Sequence, residues 1–313
     1  MVCSRCKKRK TVIDLPYINQ SLCEDCFIKF FEKRVRKTIR RHELFETDDK
    51  TAVALSGGKD SMTVLTILKD LSEKAPKSEL FAIMIDEGSP GYRDKLIKTA
   101  TKYCDELGVR YHIYTFEEEL GASIVDIVKK AKKLKNPMPA CSYCGVFRRQ
   151  LLNQKARELG ATKLVTGHNL DDECQTGLMN FVRGDAYRIA RAGAMVGMIS
   201  NELFVPRIKP LRDTPEKEVK LYTQLKGIPT AYASCPYSKE SFRVSMKRTI
   251  LNLEEKYPGT RYQLLSSVDE LAPILKEHYS KSGNEPLTCK SCGEVSSGDE
   301  CKFCLMKKEL GLQ

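Results

Sequence analysis

The chain has 313 residues, of which 41% are hydrophobic, which suits one large globular domain with room for small modules. No apolar run nears the ~20 residues that span a bilayer, and MVCSRCKKRK has no apolar stretch behind it, so neither a membrane span nor a secretory leader is expected and a cytoplasmic location is. The net charge of +12 and the 13 cysteines point to a polyanionic partner, nucleic acid first, and to metal ligation rather than disulfides in a reducing compartment.

Residues 1–27 carry Cys3-x-x-Cys6 and Cys23-x-x-Cys26, sixteen residues apart. That spacing predicts a structural zinc module whose folding energy comes from the metal. Residues 28–50 form a basic linker helix in this reading. Ile28, Phe31, Val35 and Ile39 recur at helical spacing, and Lys29, Lys33, Arg34, Arg36, Lys37, Arg40 and Arg41 make a cationic face, either offered to RNA or simply solvated.

Residues 51–235 alternate strands and helices, the pattern of a doubly wound, mostly parallel α/β sheet. Strands are expected over 51–56, 80–86, 109–116 and 163–168. Helices are expected over 61–74, 93–108, 145–160 and 171–185, with Gly108 near a C-cap. Cys104 and Cys174 fall inside helices and read as core residues. Residues 236–285 look helical without a motif, and Ser282 to Pro286 reads as a linker. Residues 286–313 hold Cys289-x-x-Cys292 and Cys301-x-x-Cys304, a second zinc knuckle.

The first strand runs into Ser56-Gly57-Gly58-Lys59-Asp60-Ser61. Two glycines let the backbone turn tightly, and the exposed N–H groups at a helix start make an anion nest. Lys59 adds charge, and Ser56 and Ser61 add hydroxyls. The spacing is not that of a Walker A loop. A third cysteine pair, Cys141 and Cys144, has no second pair beside it; Cys235 in YASCPYS makes a third candidate ligand. Three thiolates suit a [4Fe–4S] cluster with one open iron, an open catalytic zinc or a persulfide-forming pair, and spacing does not choose among them.

SGGKDS after a strand resembles the PP-loop of ATP pyrophosphatases, and GHNLDDE at 167–173 resembles the second nucleotide motif of their tRNA-modifying branch. With both terminal cysteine sets, CSYCGVFRR and Cys235, the chain resembles the tRNA 2-thiouridine synthetase family along nearly its whole length. The resemblance implies ATP held by Ala54, Ser56, Gly57, Gly58, Lys59, Asp60, Ser61, Ile85, Arg148, Gly167, Asp171 and Asp172. It implies Mg²⁺ near Asp60, Asp171 and Asp172; the alternative for the last two is capping of the following helix. His168 is equally a hydrogen-bonded structural residue.

The resemblance also implies a [4Fe–4S] cluster on Cys141, Cys144 and Cys235, and two Zn²⁺ ions on the terminal sets. Lys59, Asp60, Arg148, Asp172 and the three central cysteines are the implied catalytic residues. The reaction expected is ATP-dependent 2-thiolation: uridine O2 is adenylated, and sulfur on the open iron then displaces AMP. CGVFRRQ and LMNFVRGD look more like the anticodon wobble branch than the T-loop branch. Sulfide or a ubiquitin-like thiocarboxylated carrier is the implied sulfur source, and a homodimer the implied assembly. A PP-loop tRNA cytidine thiolase, a lysidine-type ligase and an RNA-binding protein with a degenerate nucleotide domain are the rivals.

Overall fold

The computed structural model describes residues 1–196, 203–231, 233, 235–237, 242–281, 287–296 and 298–312. The expected linker at 282–286 lies outside the described residues.

A small hairpin, β1 (Ile13–Leu15) and β2 (Gln20–Leu22), leads into helix α1 (Glu24–Arg41). Then come β3 (Lys50–Ala54), α2 (Lys59–Ser72), β4 (Glu79–Asp86), α3 (Arg93–Leu107) and β5 (Arg110–Thr115). The next stretch holds α4 (Phe116–Leu120), α5 (Ile124–Ala131), α6 (Ala140–Glu158), β6 (Lys163–Val165) and α7 (Leu170–Val182). It is followed by α8 (Ala186–Ala190), β7 (Met195–Val196), β8 (Arg207–Ile208) and α9 (Glu216–Leu225). Helices α10 (Phe242–Lys256) and α11 (Thr260–Lys281) precede β9 (Leu287–Thr288), β10 (Val295–Ser296) and α12 (Lys302–Glu309). No helix among the described residues is long and apolar enough to cross a membrane.

The central sheet has the order β5-β4-β3-β6-β8-β7, parallel except for β7 at the edge. The chain builds outward from β3 to β5 and then returns to the other flank of β3 with β6. That reversal opens a crevice at the carboxyl ends of β3 and β6, where ligands bind in open α/β sheets.

Both faces of the sheet are covered, which explains the apolar runs read as strands. Side chains alternate between two cores with the two-residue period of a strand. Val53, Ala82, Met84 and Val165 point into one; Ala52, Phe81, Ile83, Ile85 and Leu164 point into the other. The first core is closed by α1, α2, α3, α9 and the N-terminal module, through Cys3, Leu15 and Leu22. The second is closed by α4, α5, α6 and α12, through Met306 and Leu310. The two terminal modules thus cap opposite faces of the sheet. Helix α7 packs with α10 and α11 through Leu170, Cys174, Ile250 and Leu265. Arg212, 1% exposed, ties the turn after β8 to α11 by a two-pronged bond to Asp269 at 2.9 and 2.6 Å.

Several expectations shift. Thr115 forms a capping box with Glu118, so the third strand ends there and Phe116 opens a helix. The helix expected from residue 145 begins at Ala140, with Pro139 at its N-cap, and takes in both central cysteines. Helix α1 buries Phe27, Phe31, Val35 and Thr38, while Ile28 and Ile39 are only partly covered. Arg34 is therefore withdrawn from the cationic face expected from the sequence. It donates to Glu218 at 2.8 Å and to the Tyr17 hydroxyl, and Tyr17 in turn donates to Glu218 at 2.6 Å. The other six cations of that face are exposed.

Candidate active site

The loop after β3 is built to leave its backbone open. Gly57 has φ +79°, and a Cβ there would meet the Leu96 carbonyl oxygen at 2.4 Å, so only glycine fits. Gly58 has an ordinary extended φ of −84° and is the N-cap of α2. The hydroxyls expected to face phosphate are partly committed. Ser61 is 4% exposed; its Oγ accepts from Ser56 N–H at 3.1 Å, lies 3.0 Å from Ser56 Oγ and donates to Gly58 O at 3.1 Å. Ser61 thus braces the loop from inside.

Lys59 Nζ sits 2.8 Å from Asp60 and 3.0 Å from Glu216. Lys247 holds the other Glu216 oxygen at 2.6 Å. Burial works to lower the Lys59 pKa, and the two carboxylates more than offset it.

Gly167 and Asn169 close the loop from the β6 side. A Cβ on Gly167 would lie 2.7 Å from Ser61 N and 2.8 Å from Asp60 C, both backbone atoms of the helix start. Asn169 donates to Asp60 at 3.0 Å and caps α7 in a reciprocal box with Asp172. Burial raises the pKa of Asp60 and of Asp172, and Asp172 adds to the field on Asp60. Asp60 and Asp172 thus lie in one field, with Lys59 and Asn169 already on the two Asp60 oxygens.

Asp171 does not join them. Its oxygens are taken by Arg261 at 2.8 Å and by the Glu216 N–H at 2.6 Å, on the side of the helical extension. An expected phosphate and Mg²⁺ ligand is instead a structural anchor, because neighbours on a helix start point about 100° apart. Gly167→Ala should weaken ATP binding without unfolding the protein. Overpacking costs about 1–3 kcal/mol, which corresponds to roughly ten- to hundredfold in affinity; calorimetric titration with ATP reads it.

Arg93 and Glu87 went unrecognised in the sequence. Arg93, 4% exposed, donates from Nη1 to Ser56 O at 2.6 Å and from Nε to Ile85 O at 2.8 Å, and that Nε lies 2.9 Å from Glu87. The other Glu87 oxygen accepts from Arg148 at 3.0 Å. The chain Ser56–Arg93–Glu87–Arg148 thus runs from the nucleotide loop to α6. Ile85 O, an expected adenine contact, is used in this brace, and Ala54, paired with Ile83, ends β3. Arg148 is open to solvent yet surrounded by protein. Burial works against its charge and Glu87 restores it, so its pKa is raised. The only local signal for Glu87 was its place one residue past a strand end.

Cys141 and Cys144 lie on successive turns of α6. Cys141 Sγ donates to Tyr237 O at 3.4 Å, two residues after Cys235. Burial raises the Cys144 thiol to about 11; Arg148 opposes this, and Cys235 and Cys141 add to it. Tyr92, its pKa raised by burial, also lies in the field of Cys235. The three central cysteines therefore lie in one another's field along one wall beside Arg148. His168 bonds Thr166 at 2.8 Å; it is open to solvent, but crowding by protein and then Lys209 hold its pKa at about 4. Its bond to Thr166 supports the structural reading. Arg243, also unforeseen, reaches Asp172 O and Gln175 at 3.4 Å and Thr176 at 3.1 Å.

The sulfurs separate two kinds of site. A tetrahedral ion with ~2.3 Å bonds to sulfur sets its ligands ~3.8 Å apart. Cys6 and Cys23 are 3.7 Å apart, Cys289 and Cys304 3.8 Å, and Cys292 and Cys301 3.6 Å. Within each terminal set all four sulfurs fall within 4.8 Å of one another, so each set, Cys3, Cys6, Cys23 and Cys26 or Cys289, Cys292, Cys301 and Cys304, is a preformed cage for one ion. Cys141, Cys144 and Cys235 do not gather that closely.

Comparison with known proteins agrees with this geometry. A PP-loop domain family matches residues 28–254, and the N-terminal LIM domain of the 2-thiouridine synthetase TtuA matches residues 2–28. The chain is 41% identical to the tRNA 2-thiolation protein NcsA of Haloferax volcanii, covering 97% of each. It is 34% identical to the cytoplasmic tRNA 2-thiolation protein 1 of Saccharomyces cerevisiae, covering 99% of this chain and 86% of that one. Among solved structures, the U34-tRNA thiolase NcsA from Methanococcus maripaludis with its [4Fe-4S] cluster superposes with a TM-score of 0.84 at 35% identity, covering 99% and 96% of the two chains. A nucleotide loop at a sheet reversal, a cysteine wall beside it and relatives of this kind over nearly the full length lead to one conclusion: the chain belongs to the PP-loop tRNA 2-thiouridine synthetase family and is a tRNA sulfurtransferase.

Proposed function

We propose that the chain converts the anticodon wobble uridine of tRNA to 2-thiouridine by ATP-dependent adenylation. The observation that carries this is the Ser56–Arg93–Glu87–Arg148 chain, which couples the nucleotide loop to the cysteine wall across one crevice. Wobble specificity is supported by the M. maripaludis relative, a U34-tRNA thiolase.

In this reading the N–H groups of the Gly57–Gly58 turn and Lys59 hold the ATP phosphates, and Asp60 and Asp172 hold Mg²⁺. Uridine O2 attacks the α-phosphorus and pyrophosphate leaves. Lys59 and Arg148 stabilise the charge that develops on phosphate. Sulfur entering from the cysteine wall forms the C2–S bond as the C2–O2 bond breaks, and AMP departs with that oxygen. No electron is gained or lost overall.

A [4Fe–4S] cluster on Cys141, Cys144 and Cys235, rather than a single zinc ion, is supported by the M. maripaludis relative, which was solved with its [4Fe-4S] cluster. One iron of such a cluster lacks a protein ligand and would hold the incoming sulfur. The closer terminal sets fit zinc. Sulfide or a thiocarboxylated carrier protein as donor, a homodimer and a cytoplasmic location complete the proposal.

The test is mass spectrometry of nucleosides, mapped to position, after anaerobic incubation of unmodified tRNA with ATP and sulfide. One AMP and one pyrophosphate per 2-thiouridine at the wobble position is the expected result. Thiolation in the T-loop would move the specificity to the other branch, and 2-thiocytidine or no thiolated product would overturn the proposal.

A further inference from the structure

We infer that Arg149, Arg191 and Arg207 form a seat for the phosphodiester backbone of the single-stranded RNA flanking the target uridine. The inference rests on the reading above that tRNA is thiolated in the adjoining crevice.

The three side chains come from α6, from the turn after α8 and from β8, none from the nucleotide loop. Arg207 Nη2 donates to the Arg149 carbonyl at 3.0 Å, which draws the two chain segments together. Among the described residues no carboxylate lies within ion-pair distance of any of the three; by contrast Arg188 has Asp185 at 3.1 Å, and Arg148 has Glu87. The arginines act on one another instead. Burial and then Arg148 and Arg188 lower the pKa of Arg149, and burial and then Arg149 and Arg191 bring Arg207 to about 10. Like charges held together in a crowded place, without counter-charge, destabilise the free protein and favour whatever anion completes them.

The chemistry of the group favours RNA. Guanidinium forks match phosphate oxygens two at a time. Aromatic planes lie beside them: Phe204 is 5.5 Å from the Arg207 guanidinium, and Tyr187 is 5.8 Å from that of Arg191. Such planes hold the guanidiniums in place and offer stacking surface to unpaired bases, the combination that single-stranded nucleic acid uses. Arg149 and Arg191 are open to solvent. Arg149 lies on α6, the helix that carries Cys141 and Cys144, so the seat adjoins the cysteine wall.

The test measures binding of unmodified tRNA to the full-length, metal-loaded protein over a range of salt. Arg149→Gln, Arg191→Gln and Arg207→Gln are compared with wild type, and ATP affinity and thermal midpoint are measured alongside. Each substitution is expected to weaken tRNA binding about three- to tenfold at low salt and to reduce the slope of log K against log salt by ~0.7, the single-strand value per phosphate contact. Arg191→Gln guards against misfolding, since that side chain is exposed, and Arg149→Lys should recover part of the loss. Unchanged tRNA affinity and slope in all three variants would overturn the inference while leaving the thiolation reading standing. Weakened ATP binding with intact tRNA binding would overturn it too, by assigning the seat to nucleotide. Failure of the wild-type protein to bind tRNA would remove the reading on which it rests.

Discussion

Cys235→Ala is expected to abolish thiolation with sulfide supplied directly, while ATP binding and two zinc ions per chain persist. Loss of groups that merely orient a metal ligand costs about 10–100-fold in affinity or activity, so loss of one of only three ligands should cost at least ~100-fold. The anaerobically reconstituted variant should also lack the brown colour and the broad absorbance near ~400 nm of iron–thiolate charge transfer. Cys141→Ser and Cys144→Ser should behave alike, because Cys141 reaches the segment after Cys235 and Cys144 lies in the field of both. Cys104→Ala, inside the sheet-packing core, should keep the cluster. Unchanged thiolation in Cys235→Ala would sink the three-cysteine site, and so would zinc in its place in active wild-type protein.

The parts of this protein that could be read from its sequence are those whose physics is local. Parallel strands covered on both faces show as apolar runs, so 51–56 and 80–86 stood out. A glycine that must reach φ +79° against the Leu96 carbonyl stands out as SGG. Four-cysteine cages announce themselves by spacing. What could not be read depends on partners far along the chain. Asp171 and Asp172 look equivalent in GHNLDDE, yet one is fixed by Arg261 and the Glu216 amide and the other faces Asp60. Arg34 looks like any other cation on a basic helix until Glu218, 184 residues later, is placed against it. Arg93 has nothing in its neighbourhood to mark it, since its role arises only when β3 and β4 lie side by side. The central cysteine pair read as preceding its helix because a proline and two cysteines do not signal helix. The proline sits at the N-cap, where its missing N–H is no loss.

Disrupting the C-terminal cysteine set is expected to damage chemistry that none of its residues touches. Helix α6 shows Cys141, Cys144 and Arg148 to the crevice and Phe147, Asn153 and Arg157 to the C-terminal module. Phe147 meets Phe303 edge-on, with ring centres 5.4 Å apart. Glu294, 6% exposed, accepts from Asn153 at 3.4 Å and pairs with Arg157. Met306 and Leu310 complete the same core. A cage of this kind folds with its metal, so Cys301→Ser should unfold the module and leave the outer face of α6 uncovered. Phe303→Ala is the finer probe. Its side chain is partly buried, so it should cost about 2–3 kcal/mol, below the range for a fully buried ring, read by urea unfolding. Both variants should release iron faster and thiolate more slowly, Cys301→Ser more so, with the three central cysteines untouched. Iron content and single-turnover thiolation equal to wild type in a Cys301→Ser protein shown to lack the second zinc would refute the coupling. The module would then be a passive cap on the sheet. Loss of iron in step with loss of the knuckle would instead mean that α6 is held from behind, by a metal that never meets the substrate.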